Sequence, residues 1–218
     1  AYNAGDYQTA LNEWMQLAER GDAKSQSSVG FMYHNGFGVP QDFQEAAKWF
    51  RLSAEQGYAK AQSNLGSLYT YGEGLPQDFA EAARWYRLAA EQGFVPAQLN
   101  LGWKYDNGEG LPQDFAEAAK WYRLAAEQGD AVAQSILGDM YSNGEGIVQS
   151  DIAAYIWYHI AAANGNEHGS EYRELTAKIM APAEISEAQR LAAICVDSNY
   201  QDCNKHQAAT SSPDLVCP

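Results

Sequence analysis

Across residues 59–94 the apolar positions follow two helical periods separated by a short break. In the first, about residues 59–71, Ala61, Leu65, Leu68 and Tyr69 fall at helical spacing and define a buried face. The break reads Tyr71-Gly72-Glu73-Gly74-Leu75-Pro76-Gln77. Its two glycines permit positive φ, and Pro76 blocks continuation of a helix. A second period starts at Asp78, with Phe79, Ala82, Ala83, Tyr86 and Ala90 on its apolar face. Asp78 followed by Glu81 predicts a capping box: the aspartate accepts from first-turn amides and the glutamate reaches back. Gly93 closes the helix with a left-handed cap.

The same pattern recurs every 36 residues, at 23–58, 59–94, 95–130 and 131–166. A period of this length marks a solenoid of repeated supersecondary units. Gln62, Gly66, Tyr69, Gly72, Gly74, Gln77, Ala82, Trp85, Ala90 and Gly93 are identical in all four copies. Glycine inside a helix costs about 1 kcal/mol relative to alanine. The column Gly30, Gly66, Gly102 and Gly138 therefore predicts a close approach, with the tryptophans Trp49, Trp85, Trp121 and Trp157 as the bulky partners. The tyrosines Tyr33, Tyr69, Tyr105 and Tyr141 are expected to bury their rings and bond their hydroxyls to the glycine loop.

Ala61, Gln62, Leu65, Gly66, Tyr69, Gly72, Gly74, Pro76, Ala82, Trp85, Ala89, Ala90 and Gly93 carry a resemblance to the Sel-1-like repeat (SLR) family. These proteins are related to the tetratricopeptide repeats. The resemblance covers about residues 1–197 and implies an all-α fold, a right-handed α/α solenoid (superhelix) of helix-turn-helix units. Members of the family act as adaptors for different partners, so the fold itself licenses no activity. Residues 1–22 look like a half-repeat cap, with Trp14 in the column of Phe50, Tyr86 and Tyr122. In the fourth copy Ser150 replaces the capping aspartate and still serves as a cap. Residues 167–203 should form capping helices, one over about 168–180 that Pro182 breaks and one over about 184–196. The latter would bury Ile185, Ala188, Leu191, Ala192 and Cys195. Residues 204–218 carry little to bury and read as a flexible tail.

Charge narrows the partners. Fourteen basic residues face twenty-eight acidic ones, a net of −14, which disfavours nucleic acid and anionic membranes. A cationic partner or a simply solvated face fits better, and the loop acids Glu73, Glu109 and Glu145 read as solvated. No apolar run is long enough for membrane insertion. The first residue is Ala1 rather than Met, which reads as a processed or trimmed start. Cys195, Cys203 and Cys217 all fall in the C-terminal region. A Cys195–Cys203 disulfide is the leading reading, with Cys203–Cys217, a zinc site that includes His206, and three reduced thiols as alternatives. A disulfide points to a periplasmic or secreted protein. The cysteine-rich bacterial branch of the resembling family carries disulfides inside each repeat. This chain does not, so that branch's binding of peptidoglycan-like ligands or β-lactams is not carried over.

His34, His159, His168 and His206 are scattered, and no metalloprotease, nucleophile-elbow or phosphate-loop motif is present. The chain reads as no enzyme, with no cofactor and no metal. Binding then rests on columns that vary between copies. In the resembling fold the first helices line the concave side. Three variable columns there are Phe31, Ser67, Trp103 and Asp139; Asn35, Tyr71, Asn107 and Asn143; and Ser27, Ser63, Leu99 and Ser135. Aromatic anchors beside Ser and Asn suit capture of a peptide. The candidate contact residues are Phe31, Asn35, Tyr71, Leu99, Trp103, Asn107, Asp139 and Asn143, with a protein or peptide as partner. A binder of glycan or peptidoglycan fragments is the alternative, and a hydrolase of small envelope metabolites a third.

Overall fold

The computed structural model describes residues 6–200 and Cys203. Among these residues all regular structure is helical. In chain order the helices are α1 (Tyr7–Ala18), α2 (Ala23–Asn35), α3 (Phe43–Glu55), α4 (Ala59–Tyr71), α5 (Phe79–Glu91) and α6 (Val95–Asn107). There follow α7 (Phe115–Ala126), α8 (Ala131–Asn143), α9 (Asp151–Ala163), α10 (Glu167–Ala177) and α11 (Pro182–Asp197). The chain divides between Gln113 and Asp114 into two compact units. The first contains α1 to α6 and the second α7 to α11. In each, consecutive helices pack as antiparallel hairpins stacked on the next. This is the α/α solenoid packing that the 36-residue period implies.

Local chemistry sets the boundaries. Asp42, Asp78 and Asp114 accept first-turn amide hydrogen bonds at the starts of α3, α5 and α7. The glutamates do not reach back as a capping box requires. Glu45, Glu81 and Glu117 pair instead with Lys48, Arg84 and Lys120, three residues ahead. A cation one turn on is a better partner for an exposed carboxylate than a neutral amide. Ser150 caps α9 through its hydroxyl, as expected. Pro182 does more than break α10: it opens α11 as its first residue, where a missing N–H costs no helical hydrogen bond.

Recurring bonds fix the loop inside a repeat and the turn between repeats. Gln41, Gln77, Gln113 and Gln149 donate to the carbonyls of His34, Thr70, Asp106 and Ser142. The amides of Asp42, Asp78 and Ser150 donate to the tyrosine carbonyls of Tyr33, Tyr69 and Tyr141. A buried glutamine, Gln26, Gln62, Gln98 or Gln134, donates to the end of the helix before it. Gly74, at φ 69°, is pressed against the backbone of Phe43 and Gln44, so any side chain there would clash.

Two expectations about the core are corrected. The helical glycines are approached not by the tryptophans but by the ring one residue later. A Cβ at Gly30 would meet Phe50, one at Gly66 would meet Tyr86, and one at Gly138 would meet Tyr158. One residue is about 100° of helix, which turns Trp85 away into the cluster of Phe50, Leu65 and Leu68 formed by α3 and α4. The tyrosine hydroxyls do not bond the loop either. Tyr69, Tyr105 and Tyr141 receive guanidinium hydrogen bonds from Arg51, Arg87 and Arg123 of the preceding helix. Charge-assisted donors outcompete neutral ones for a half-buried hydroxyl.

Candidate binding face

The exposed side of the first helices follows a four-three-four spacing. On α4 it carries Lys60, Asn64, Ser67 and Tyr71. Positions i, i+4, i+7 and i+11 lie on one side of an α-helix, so these four form a continuous stripe. The same places on α2 are Lys24, Ser28, Phe31 and Asn35, and on α6 they are Pro96, Asn100, Trp103 and Asn107. Within the first unit, side chains of this stripe open onto three successive hollows.

The largest, about 430 Å³, lies where α4, α5 and α6 meet. Tyr71 and Trp103 stand at its edge, 71% and 45% exposed, with Phe79, Tyr86 and Asn100 inside it. Burial raises the Tyr86 hydroxyl pKa, so it stays a neutral phenol beside Thr70. Lys104 lines the same groove although it is only 1% exposed. Its Nζ donates to Glu109 at 2.9 Å and lies over the rings of Phe79 and Trp103, 4.5 and 5.2 Å from their centroids. In the other copies this place is held by Met32, Leu68 and Met140, all buried.

The second hollow, about 150 Å³, is bordered by Phe31, His34, Asn35, Asn64 and Ser67. His34 pairs with Glu73 at 3.0 Å. Glu109 therefore belongs to an ion pair with Lys104 and Glu73 to a hydrogen-bonded contact with His34, rather than to a purely solvated face. The third hollow, about 270 Å³, is formed by Trp14, Ser28, Phe31, Tyr58 and two lysines, Lys24 and Lys60. Lys60 Nζ lies 5.9 Å from the centre of the Phe31 ring.

The candidate contact residues fall into distinct settings. Phe31, Tyr71 and Trp103 border hollows. Asn35 and Asn107 are exposed, but each donates its side-chain amide to the carbonyl four residues back, Phe31 and Trp103. Leu99 is half-buried, and its column is buried as Ser27, Ser63 and Ser135; it does not line the Tyr71–Trp103 groove. Asp139 and Asn143 belong to the second unit. Asn143 is exposed at the end of α8. Asp139 accepts from the Tyr158 hydroxyl at 2.7 Å and lies 3.0 Å from His168. Burial, then the Asp139 carboxylate, raise the Tyr158 pKa. Lys24, Lys60, Asn64, Asn100 and Lys104 were not among the expected contact residues. Their signal is the four-three-four spacing and, for Lys104, a charge in an otherwise apolar column.

Cys195 and Cys203 stand at disulfide-bonding distance, with Cα atoms 4.5 Å apart. Cys217, His206 and the expected flexible tail lie outside the described residues. Among the described residues no group of three His, Cys, Asp or Glu side chains is set to hold a metal, and no helix is long and apolar enough to cross a membrane.

The Sel1 repeat model matches the chain at 23–58, 59–94, 95–130 and 131–166. Among solved structures, the chain is similar to a Sel1 repeat protein from Oxalobacter formigenes. The identity is 34%, the match covers 79% of this chain and 71% of that one, and the TM-score is 0.75. It is also similar to a protective antigen present in uropathogenic Escherichia coli strains, displaying an SLR fold. There the identity is 33%, the coverage 95% of this chain and 45% of that one, and the TM-score 0.77. This chain thus spans less than half of the E. coli protein. No curated relative matches it.

Proposed function

Because the chain belongs to the Sel1 repeat family, we propose that it is a non-enzymatic scaffold that captures a peptide or protein segment on the first-helix stripe of its N-terminal unit. The observation that carries this reading is Lys104. A lysine in a core column must surrender its hydration, a penalty of several kcal/mol per ion that an ion pair only partly offsets. Met or Leu serves the fold at this place in the other copies. The charge therefore has a use beyond packing. Its ammonium has three donors and Glu109 takes one. The others are covered by the Phe79 and Trp103 rings, and a turn of the exposed Trp103 side chain would offer them to a backbone carbonyl of a segment lying in the groove. Tyr71 and Trp103 supply the exposed aromatic area that anchors such a segment, since few residues carry most of the affinity in such interfaces. The Cys195–Cys203 pair supports a periplasmic or secreted setting.

A glycan would use the same two rings for stacking, so the test separates the two. The protein is panned against a phage-displayed library of random peptides and, separately, spun down with insoluble peptidoglycan. Peptides should be enriched, and Trp103→Ala with Tyr71→Ala should weaken their binding about tenfold or more. Sedimentation with peptidoglycan that is lost in the same variants, with no peptide enriched, would replace this reading by the glycan one.

A further inference from the structure

The third hollow has a charge pattern opposite to that of the chain. The protein carries a net −14, yet the charged side chains bordering this hollow are Lys24 and Lys60. Both are exposed, and neither forms an ion pair among the described residues. Asp22 lies near Lys24 in sequence and feels its charge, but its carboxylate is engaged in capping Ser25. Between the lysines lie aromatic surfaces of Trp14, Phe31 and Tyr58 and the Ser28 side chain. Two lysines beside apolar walls form a receptor for a carboxylate next to a bulky apolar side chain.

The hollow is also in register with the groove. Lys60 and Tyr71 stand at opposite ends of α4 and eleven residues apart. That is close to three whole turns, so they share one side of the helix, about 16 Å apart along its axis. An extended peptide covers that distance in about five residues. Asn64 and Ser67 lie between them on the same stripe; Asn64 offers its amide to the peptide backbone, while the Ser67 hydroxyl also bonds Tyr86.

Resting on the peptide-binding reading above, we infer that the bound segment carries an Asp or Glu side chain held between Lys24 and Lys60, about five positions from an apolar or aromatic residue seated at Tyr71 and Trp103. The lysines are the specificity determinants, and the aromatic groove is the anchor. Such a division lets an acidic scaffold select acidic segments by local charge, while its overall charge repels unselected anions.

The test reads the sequences of the enriched phage peptides. The full chain should enrich peptides with an acidic residue at the stated spacing from an apolar one. A synthetic copy of the best peptide, with its Asp or Glu changed to the amide, should bind about tenfold more weakly. Lys24→Gln with Lys60→Gln should remove that difference. Lys24→Glu with Lys60→Glu should shift the enriched residue at this position to Lys or Arg. These side chains are exposed, so thermal melting of the variants should match the parent. Peptides that depend on Trp103 but show no acidic preference, or an amide copy that binds equally well, would overturn this inference and leave the peptide-binding reading standing. If no peptide is enriched, or binding is indifferent to Trp103, both are overturned.

Discussion

Gly138 has Tyr158 atoms 2.6 Å from the place a Cβ would take, and Gly66 has Tyr86 atoms at 2.9 Å. Alanine at either would gain about 1 kcal/mol of helix propensity and lose about 1–3 kcal/mol to overpacking. Overpacking should win, and more so at the tighter site. Gly138→Ala is expected to lower the melting temperature more than Gly66→Ala, and calorimetry on the two variants checks the order. A rise in both would mean that the rings move aside freely. The need for a bare backbone was readable from glycine recurring inside a helix. The identity of its neighbour was not, because an apolar pattern assigns a face to within a residue or so, and Trp85 and Tyr86 both fall on that face. Lys104 was missed for a related reason. In a sequence a lone lysine reads as surface charge; only comparison with Met32, Leu68 and Met140 in its column marks it as buried.

Helices were the most readable level, because the second helix of every repeat starts at an Asp or Ser cap and each loop before it carries its glycines. α4 runs from Ala59 to Tyr71, where the pattern places it. What joins one helix to the next was less visible. The Arg51–Tyr69 and Arg87–Tyr105 bonds span eighteen residues, and no local spacing rule reports a contact made by long flexible side chains. α9 supplies the acid-sensitive element. His159 on this helix has its pKa lowered below 6.5, first by burial and then by the nearby Arg173 charge. A histidine held neutral by the fold contributes stability above its unfolded pKa and loses that contribution as pH falls below it. Stability should therefore decline as pH drops below about 6.5, levelling off once the folded form also protonates. Replacing His159 by Gln should flatten that part of a stability–pH curve. An unchanged curve would assign the acid sensitivity to other groups.

At the scale of the whole molecule, the four repeats, the flanking helices and the acidic balance were readable from period and composition alone. Which side chains of the variable columns stand exposed was only half readable. Variable columns pointed to Phe31, Tyr71 and Trp103, but the same criterion admitted Leu99, half-buried, and Asp139, already engaged with Tyr158 and His168. Variation between copies shows where the core makes no demand; it does not show whether the side chain is exposed. The central claim is that this protein keeps a charged lysine in a core position in order to bind a peptide. It is tested most directly by Lys104→Met, which installs the residue found there in two other copies and leaves Glu109 partly open to solvent. Melting and titration calorimetry with a library-selected peptide should show an equal or higher melting temperature together with loss of peptide binding. Undiminished binding, or a variant that unfolds, would contradict it.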